Sequence, residues 1–400
     1  MNMFAYPLRC ALCVVFFAFG ASALAAEDSS GRWSVERANA WYAEHPWPAG
    51  FNYAPRYAVN QIEMWQADTF DPAMIDEELG WAARIGFNMV RVFLHDLLWQ
   101  QDAPGFTARV DEFLTIADRH GMTTMLVLFD DVWNPEPKLG TQPEPRPGVH
   151  NSGWVQGPGS AILGDLNRHD ELEPYVRGIV SRFGDDPRVA IWDLYNEPGN
   201  DNILSYRSTE LDDKYPHSLA LLEKVFTWVR DEDPEQPLTA AVWRLWADEW
   251  QGADPEHDAA PLFNFMLDNS DIITFHSYQN RDNTAAGISY LETLQRPMIC
   301  TEYMARGHDS TFETVMPLFA EKNIGAIHWG FVSGKSQTIY PWSSWIGIAR
   351  WWNGLFSDEP EPWHHDLLHA DGSAYNEDEI AFVSALIARK NGTNKPTTNQ

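Results

Sequence analysis

The stretch 191–198, IWDLYNEP, is an apolar segment that ends in Asn196, Glu197 and Pro198. A second apolar stretch, 298–302 with the sequence MICTE, ends in Glu302. In both stretches, apolar residues occur on both faces of the predicted strand instead of alternating with polar ones. This pattern is typical of parallel strands covered by helices. Placing a carboxylate at the end of such a strand costs free energy unless the group has partners or a chemical task. The two glutamates are therefore the first candidates for functional residues.

Six further stretches of the same kind occur along the chain, separated by amphipathic helical patterns. The predicted strands are 50–53, 89–93, 124–129, 189–195, 238–243, 272–276, 298–302 and 325–329. The predicted helices are 72–85, 106–120, 170–183, 218–231, 258–267, 287–294, 310–322 and 377–388. Eight strand and helix pairs in succession favour an α/β fold of the closed (β/α)8 TIM barrel type. The alternative is a Rossmann-like sheet, but no predicted strand is followed by a Gly-x-Gly-x-x-Gly turn.

Two long segments interrupt this regular spacing, and each follows a strand on the side where barrel enzymes carry their active sites. They are 130–168, after the third strand, and 331–375, after the eighth. Tryptophans are frequent in both segments, namely Trp133, Trp154, Trp342, Trp345, Trp351, Trp352 and Trp363. We expect the two loops to form the walls of a cleft; the alternative is that they only seal the barrel mouth.

The N-terminal segment 1–26 has the order of a secretory signal peptide. Arg9 precedes an apolar run over 11–19, and small residues lead up to position 26. A retained N-terminal anchor is the alternative. We predict cleavage, a secreted or periplasmic protein, one barrel domain over 27–390 and a polar C-terminal tail over 391–400. Cleavage leaves Cys300 as the remaining cysteine, so no internal disulfide is expected.

Charge and aromatic content limit the classes of partner. The chain has 28 Lys and Arg residues against 57 Asp and Glu residues, a formal net charge of −29. This charge repels phosphate backbones and anionic lipids, so neither nucleic acid nor a membrane surface is an expected partner. The 19 Trp, 13 Tyr and 21 Phe residues offer flat faces for sugar rings, although most such side chains pack in cores. The expected partner is a carbohydrate, and the sequence identifies no protein partner.

Cleavage of a glycosidic bond requires one carboxylic acid to protonate the leaving oxygen and one carboxylate to stabilise or attack the anomeric carbon. The motifs Asn196-Glu197-Pro198 after the fourth strand and Thr301-Glu302 at the seventh resemble those of the retaining glycoside hydrolases of clan A, especially family 5. The resemblance covers essentially the whole predicted barrel domain. It implies that Glu197 is the acid/base, that Glu302 is the nucleophile, and that Asn196 contacts the sugar 2-hydroxyl.

Four further residues match the same family. Arg91 on the second strand is implied to hold Glu302 charged through a charge-assisted hydrogen bond. His276 and Tyr278 lie two apart on one face of the sixth strand, and the tyrosine hydroxyl is implied to orient the nucleophile. Trp329, at the end of the eighth strand, is implied to form the floor beneath the reacting sugar. Each has an ordinary structural explanation alone, and their joint placement favours catalysis.

Two features of the chain depart from the simplest expectation. Many family members end the third strand with a histidine, whereas this chain has FDD at 129–131. His95 follows the second strand, so either the histidine has moved to a neighbouring strand or the first sugar subsite differs. In addition, Asn196 and Glu197 would face opposite ways on an ideal strand, so both reach substrate only if the strand bends at its end.

A metal site is the last candidate in the sequence. His364, His365, Asp366 and His369 lie close together, but their spacing matches no standard zinc motif. Solvated histidines in a loop are the simpler interpretation, so we predict no metal and no cofactor.

The predicted function is hydrolysis, with retention of configuration, of a neutral β-linked polysaccharide or oligosaccharide of the glucan, mannan or xylan type. Three alternatives remain: an exo-acting β-glycosidase on small oligosaccharides, a non-catalytic carbohydrate-binding barrel, and a metal-dependent hydrolase.

Overall fold

The computed structural model describes residues 31–202, 204–244, 258–346 and 359–392. The predicted signal peptide, Trp351, Trp352 and the tail beyond 392 lie outside the described residues. No helix within those described ranges is long and apolar enough to cross a membrane.

Eight parallel strands form the barrel, in the order β5-β4-β3-β2-β1-β8-β7-β6 around the sheet. The strands are β1 (Ala49–Asn52), β2 (Met89–Phe93), β3 (Thr123–Val127), β4 (Val189–Asp193), β5 (Leu238–Thr239), β6 (Ile273–His276), β7 (Met298–Glu302) and β8 (Gly325–His328). β1 pairs with both β2 and β8. A parallel bridge between Val242 and Phe275 joins the two ends of the sheet. The predicted (β/α)8 TIM barrel is confirmed.

Helices follow the strands as the periodicity predicts. They are α1 (Val35–Glu44), α2 (Gln61–Trp65), α3 (Pro72–Ile85), α4 (Asp96–Arg119), α5 (Ser160–Leu163), α6 (Glu173–Phe183), α7 (Lys214–Asp231), α8 (Ala260–Asn269), α9 (Arg281–Leu291), α10 (Phe312–Lys322) and α11 (Glu377–Gly392). The sequence interpretation missed α1, α2 and α5, of which α2 and α5 are too short to show a clear period. It also began α4 at 106, whereas the helix starts at Asp96 and continues across a break at Asp102.

Helix α3 shows how local sequence sets an element's bounds. The Asp71 side chain accepts a hydrogen bond from the Met74 N–H, and Pro72 occupies the first turn. The helix stops at Gly86, whose φ of 104° is in the left-handed region that glycine adopts without steric cost.

The two ends of the barrel have opposite character. At the N-terminal end, Trp33 and Tyr42 from α1 and its approach pack with the first apolar residues of the strands, such as Met89 and Ile299, so this end is closed by an apolar cluster. At the C-terminal end, buried polar side chains come from the strands and their ends, among them Arg91 on β2 and His276, the last residue of β6. The strand order therefore gathers the polar residues at one mouth of the barrel.

Candidate active site

The two long insertions are joined to each other above the C-terminal mouth. In the first, the His150 N–H donates to the Ser344 hydroxyl at 3.0 Å, and the His150 carbonyl accepts from the Trp345 indole at 2.7 Å. These bonds fix the segment around 150 against the segment around 344. The loops after β3 and β8 therefore form a common wall, as the sequence predicts.

A cavity of about 650 Å³ lies between these loops and the strand ends. Its volume falls within the range of ligand-binding clefts. The predicted residues that line it are Asn196, Glu197, His276, Tyr278, Glu302 and Trp329. Residues that the sequence interpretation did not single out as site residues also line it, among them Trp133, His150, Trp154, Asn200, Arg244, His308 and Trp342.

Arg91 lies beneath the cavity and is completely buried. Its guanidinium donates to Asp193 at 2.8 and 2.9 Å and to Glu302 Oε1 at 3.0 Å. It also donates to the side-chain oxygens of Asn52 and Asn196, both at 2.7 Å. A buried guanidinium is tolerated here because each of its nitrogens has a partner and its charge faces two carboxylates.

Glu302, the last residue of β7, is held at both carboxylate oxygens. Arg91 donates to Oε1, and the Tyr278 hydroxyl donates to Oε2 at 2.7 Å. The pKa of Glu302 is raised to about 7, because burial and the nearby Glu197 charge together outweigh the lowering effects of His276, Arg91 and Tyr278. The predicted effect of Arg91 on Glu302 is present, but desolvation outweighs it.

Glu197 reaches the same cavity because the backbone turns at this residue. β4 ends at Asp193, Asn196 forms a bridge with Asp130, and Glu197 has a φ of 43° in the left-handed region. This local strain resolves the geometric difficulty of two neighbouring side chains on one strand. The Glu197 carboxylate contacts His276 Nδ1 at 2.8 Å and accepts from Asn200 at 2.6 Å. Burial raises its pKa to about 7.

Glu197, His276 and Glu302 come together in three dimensions. One carboxylate oxygen of each glutamate and one ring nitrogen of His276 all lie within 4.8 Å of one another. Burial lowers the pKa of His276 to about 4, so its ring is neutral at neutral pH. The same spacing could hold a metal ion, but the Arg91 guanidinium 3.0 Å from Glu302 opposes a second cation there. We call Arg91, Asn196, Glu197, His276, Tyr278 and Glu302 the strand-end cluster.

The family model described as cellulase (glycosyl hydrolase family 5) matches residues 56–334 of this sequence. The chain belongs to glycosyl hydrolase family 5. This confirms the resemblance inferred from the strand-end motifs, and with it the glycoside hydrolase class.

A relative and two solved structures illustrate the range of similar proteins. The probable mannan endo-1,4-β-mannosidase C of Aspergillus terreus (strain NIH 2624 / FGSC A1156) is 27% identical over 219 residues, which are 47% of this chain and 51% of the relative. The chain thus matches about half the length of that relative.

The fold is similar to that of an exo-β-1,4-mannosidase from Opitutaceae bacterium strain TAV5, with a TM-score of 0.56 and 17% identity over 87% of this chain and 60% of that one. It is also similar to the endo-β-1,4-mannanase from Thermotoga petrophila, with a TM-score of 0.53 and 13% identity over 88% and 78%. At these identities the likeness concerns the fold.

Trp329, which follows β8, lines the cavity. Its ring packs edge to face against Phe93 and Trp154, with centroids 5.8 Å apart in both pairs. Trp154 comes from the first insertion, so a barrel residue and a loop residue form one aromatic corner of this family 5 cleft.

His95 does not join the cluster. β2 ends at Phe93, and His95 caps α4, where its Nδ1 accepts from the Leu97 N–H at 3.2 Å. Its Nε2 lies 2.9 Å from the Gln156 carbonyl, and the side chain is fully buried. Because both ring nitrogens have protein partners, His95 has none left for a sugar.

The histidines near position 365 also differ from expectation. His364 and His365 are buried instead of solvated, and the ring of His369 packs on Trp363 with centroids 4.5 Å apart. Asp366 is buried as well and accepts from the Thr338 hydroxyl at 2.8 Å. The tertiary contacts between the two insertions cover a segment that looks polar in sequence.

His150 and His308 line the cavity, and His364 and His365 pack against them to form a wall. We call these four residues the histidine wall. The His150 and His365 rings are 5.3 Å apart, and those of His308 and His364 are 5.7 Å apart. Burial lowers the pKa of His150 to about 4 and that of His364 to about 2. The pKa of His365 is also lowered by burial, so the rings of His150, His364 and His365 are uncharged at neutral pH.

Trp342 connects the histidine wall to the strand-end cluster. Its ring packs edge to face on Tyr278 at 4.9 Å and on His364 at 4.7 Å. Composition indicated aromatic walls, but the sequence carried no signal for the assembly of these histidines, which come from three separate loops.

Proposed function

We propose that this protein hydrolyses β-glycosidic bonds with retention of configuration. The proposal depends mainly on the spacing of Glu197 and Glu302, which approach within 4.8 Å. Carboxyl groups about 5 to 5.5 Å apart are typical of retaining enzymes, whereas inverting enzymes separate them by about 6.5 to 9.5 Å. The close pair leaves no room for a water molecule between carboxylate and sugar.

The surrounding donors support a division of roles. Because two neighbouring carboxylates repel each other, the pair holds one proton over a range of pH. Arg91 and Tyr278 both donate to Glu302, which favours its charged form and its role as nucleophile. Burial raises the pKa of both glutamates to about 7, but Glu197 accepts from the neutral Asn200 amide instead of an arginine, which favours its protonated form and its role as acid.

The proposed reaction has two displacements. Glu302 attacks the anomeric carbon and forms a covalent glycosyl ester, while Glu197 gives its proton to the departing glycosidic oxygen. Glu197, now ionised, takes a proton from water, and that water attacks the same carbon and breaks the ester. The sugar leaves with its original anomeric configuration, and both glutamates return to their starting states.

Other cluster residues would position the sugar. Asn196 lines the cavity beside Glu197, which supports the proposed contact between its amide and the 2-hydroxyl next to the anomeric carbon. Trp329 offers a ring face beneath the reacting sugar. Both glutamates and their partners are present, which disfavours the alternative of a non-catalytic carbohydrate-binding barrel.

We propose a β-1,4-linked mannan or manno-oligosaccharide as the first substrate to test. The 27% identical relative bears the name of a mannan endo-β-mannosidase. The aromatic cavity walls and the neutral ring of His150 suit a neutral sugar chain. An exo-acting β-glycosidase is the second candidate, because Trp342 stands against Tyr278, directly beside the nucleophile, where it could close one end of the cleft.

Time-resolved product analysis tests both proposals. The enzyme is incubated with β-1,4-linked manno-, gluco- and xylo-oligosaccharides of defined length, and the anomer first formed is identified by proton NMR. We expect the β-anomer first and, for endo action, a mixture of chain lengths from the start. Release of one small unit from the start would favour the exo candidate, and an initial α-anomer would contradict retention.

We further propose export after cleavage near position 26, based on the N-terminal pattern of charge, apolar run and small residues. Mass spectrometry of the protein from the producing cells should detect a mature N-terminus close to residue 27. An intact N-terminus on the cell-associated protein would favour the retained anchor.

A further inference from the structure

Asp130 is a buried carboxylate at the end of the third strand region, and the two displacements do not use it. Its Oδ1 accepts from Asn196 Nδ2 at 2.9 Å and from the Val132 N–H at 3.0 Å. Its Oδ2 accepts from the Trp154 indole at 2.7 Å and from Gln61 at 3.1 Å. Four donors on one side chain with 1% exposure hold this carboxylate in a fixed position.

The contact with Asp130 determines how the Asn196 amide faces the cavity. Arg91 donates to Asn196 Oδ1 at 2.7 Å, and an arginine cannot accept a hydrogen bond. Asn196 must therefore turn its oxygen toward Arg91 and its NH2 group toward Asp130. The second amide hydrogen remains for a ligand, so Asn196 meets a sugar hydroxyl as a donor.

The same carboxylate also holds part of the aromatic corner. Trp154 donates its indole N–H to Asp130, and its ring packs on Phe93 at 5.3 Å and on Trp329 at 5.8 Å. One side chain thus links a polar contact beside Glu197 to the aromatic surface on which a sugar would lie.

We propose that Asp130 is a positioning residue that makes the site selective for a glycone with a free 2-hydroxyl. It acts through Asn196, which it fixes as the donor to that hydroxyl, and through Trp154, which it fixes in the cavity wall. The proposal rests on the retaining mechanism above. It predicts that a sugar without a hydroxyl at C2 lacks the contact with the Asn196 amide, whose orientation Asp130 maintains.

The test compares an aryl β-mannoside with its 2-deoxy analogue in wild type and in Asp130→Asn. The NH2 group of the new asparagine cannot accept a hydrogen bond, so it would face either the donors of Asn196 and Val132 or those of Trp154 and Gln61, and one of these two pairs of contacts is lost. We expect the preference in kcat/KM for the 2-hydroxyl substrate to fall about tenfold, mainly in kcat, because contacts to this hydroxyl strengthen in the transition state.

Asp131→Asn is the matched control, since Asp131 is the adjacent buried carboxylate. Its side chain accepts from Tyr195, Ser218 and the Gly199 N–H, and its contact with Asn196 is a backbone hydrogen bond at 3.2 Å, which the substitution leaves in place. We expect this variant to lose stability but to keep the preference for the 2-hydroxyl. An unchanged preference in folded Asp130→Asn, or an equal loss in Asp131→Asn, would overturn the proposal.

Trp154→Phe is the second variant, and it decides the question if Asp130→Asn does not fold. It keeps an aromatic ring but removes the N–H donor to Asp130, and we expect the preference to fall about threefold. An unchanged preference would count against the proposal. Activity of Glu302→Ala on the parent mannoside distinguishes failure of the retaining mechanism from failure of the Asp130 proposal. Persisting activity would overturn the retaining mechanism. Loss of activity would leave only the role of Asp130 in question.

Discussion

The strand-end cluster and the histidine wall border the same cavity, and both contain buried ionisable groups. The cluster stabilises a buried charge with hydrogen-bond donors, whereas buried rings in the wall stay neutral. In the cluster, Arg91 and Tyr278 donate directly to Glu302, so a buried charge has compensating partners. In the wall, the Nε2 atoms of His364 and His365 have no partner, and burial keeps both rings neutral. A buried group retains charge for chemistry where donors surround it, and otherwise serves as an uncharged surface.

The largest expected effect is that of Glu302→Ala. Without the nucleophile no glycosyl ester forms, and kcat on an aryl β-glycoside should fall by at least about 10⁴-fold. Circular dichroism would verify the fold, and Asp131→Asn is a suitable control for loss of a buried carboxylate. Near wild-type turnover by Glu302→Ala would refute the assignment of the cluster as the catalytic site.

Glu197→Ala should lower kcat somewhat less than Glu302→Ala, and the size of the decrease should depend on the leaving group. Loss of the acid should lower kcat by about 10³-fold on substrates with poor leaving groups. The loss should be much smaller on activated aryl glycosides, whose leaving groups need little protonation. Steady-state rates across a series of aryl leaving groups measure this dependence, and a uniform loss would argue against Glu197 as the acid.

Arg91→Lys tests whether the buried carboxylates of the strand-end cluster need the guanidinium donors for the stability of the fold. Lysine cannot reach Asp193, Asn196 and Glu302 together, so we expect the free energy of unfolding in urea to fall by about 3 kcal/mol. Arg177→Lys is the matched control, because Arg177 pairs with Glu173 and Asp231 at the surface and should cost under about 1 kcal/mol. Equal losses would show that burial is not the deciding factor.

Activity should decline on the alkaline side of neutrality. The pKa of Glu197 is raised to about 7, and the proposed acid must carry its proton, so kcat/KM should fall as pH rises through about 7. His150→Phe should leave this limb in place, because the pKa of His150 is lowered to about 4 and its ring stays neutral there. The pH dependence of kcat/KM in wild type and in His150→Phe measures this. A shift of the alkaline decrease in His150→Phe would assign the decrease to the histidine wall instead of Glu197.

The smallest effect concerns stability in acid. The pKa of His364 is lowered to about 2, below its ordinary value of about 6.5, so between these values the unfolded chain binds the extra proton. Stability therefore falls as pH drops below about 6.5, and His364→Phe should make this fall shallower by up to about 1.4 kcal/mol per pH unit. Urea unfolding at pH 6.5 and pH 5 measures the slope; an unchanged slope would contradict a buried neutral His364.

The helices and strands were predictable to different degrees. The bounds of β2, β7 and α3 agree with the periodicity, since apolar runs and caps are local signals. β5 is much shorter than predicted, because an apolar run marks burial and does not show where strand pairing stops. The option that His95 replaces the third-strand histidine relies on its position after a strand, whereas in the structure His95 caps the start of a helix.

The amino-acid sequence alone specified the barrel and the identities of Arg91, Glu197, His276, Tyr278 and Glu302. Arg91 lies within β2 and the other four lie at or just beyond the end of an apolar strand, and a parallel barrel brings all strand ends to one mouth. Only the tertiary structure revealed the partners that complete the site. The carboxylate of Asp130 meets Asn196, and His150 meets His365, through irregular loops without periodicity. Such contacts depend on how distant segments pack, and no local pattern encodes them.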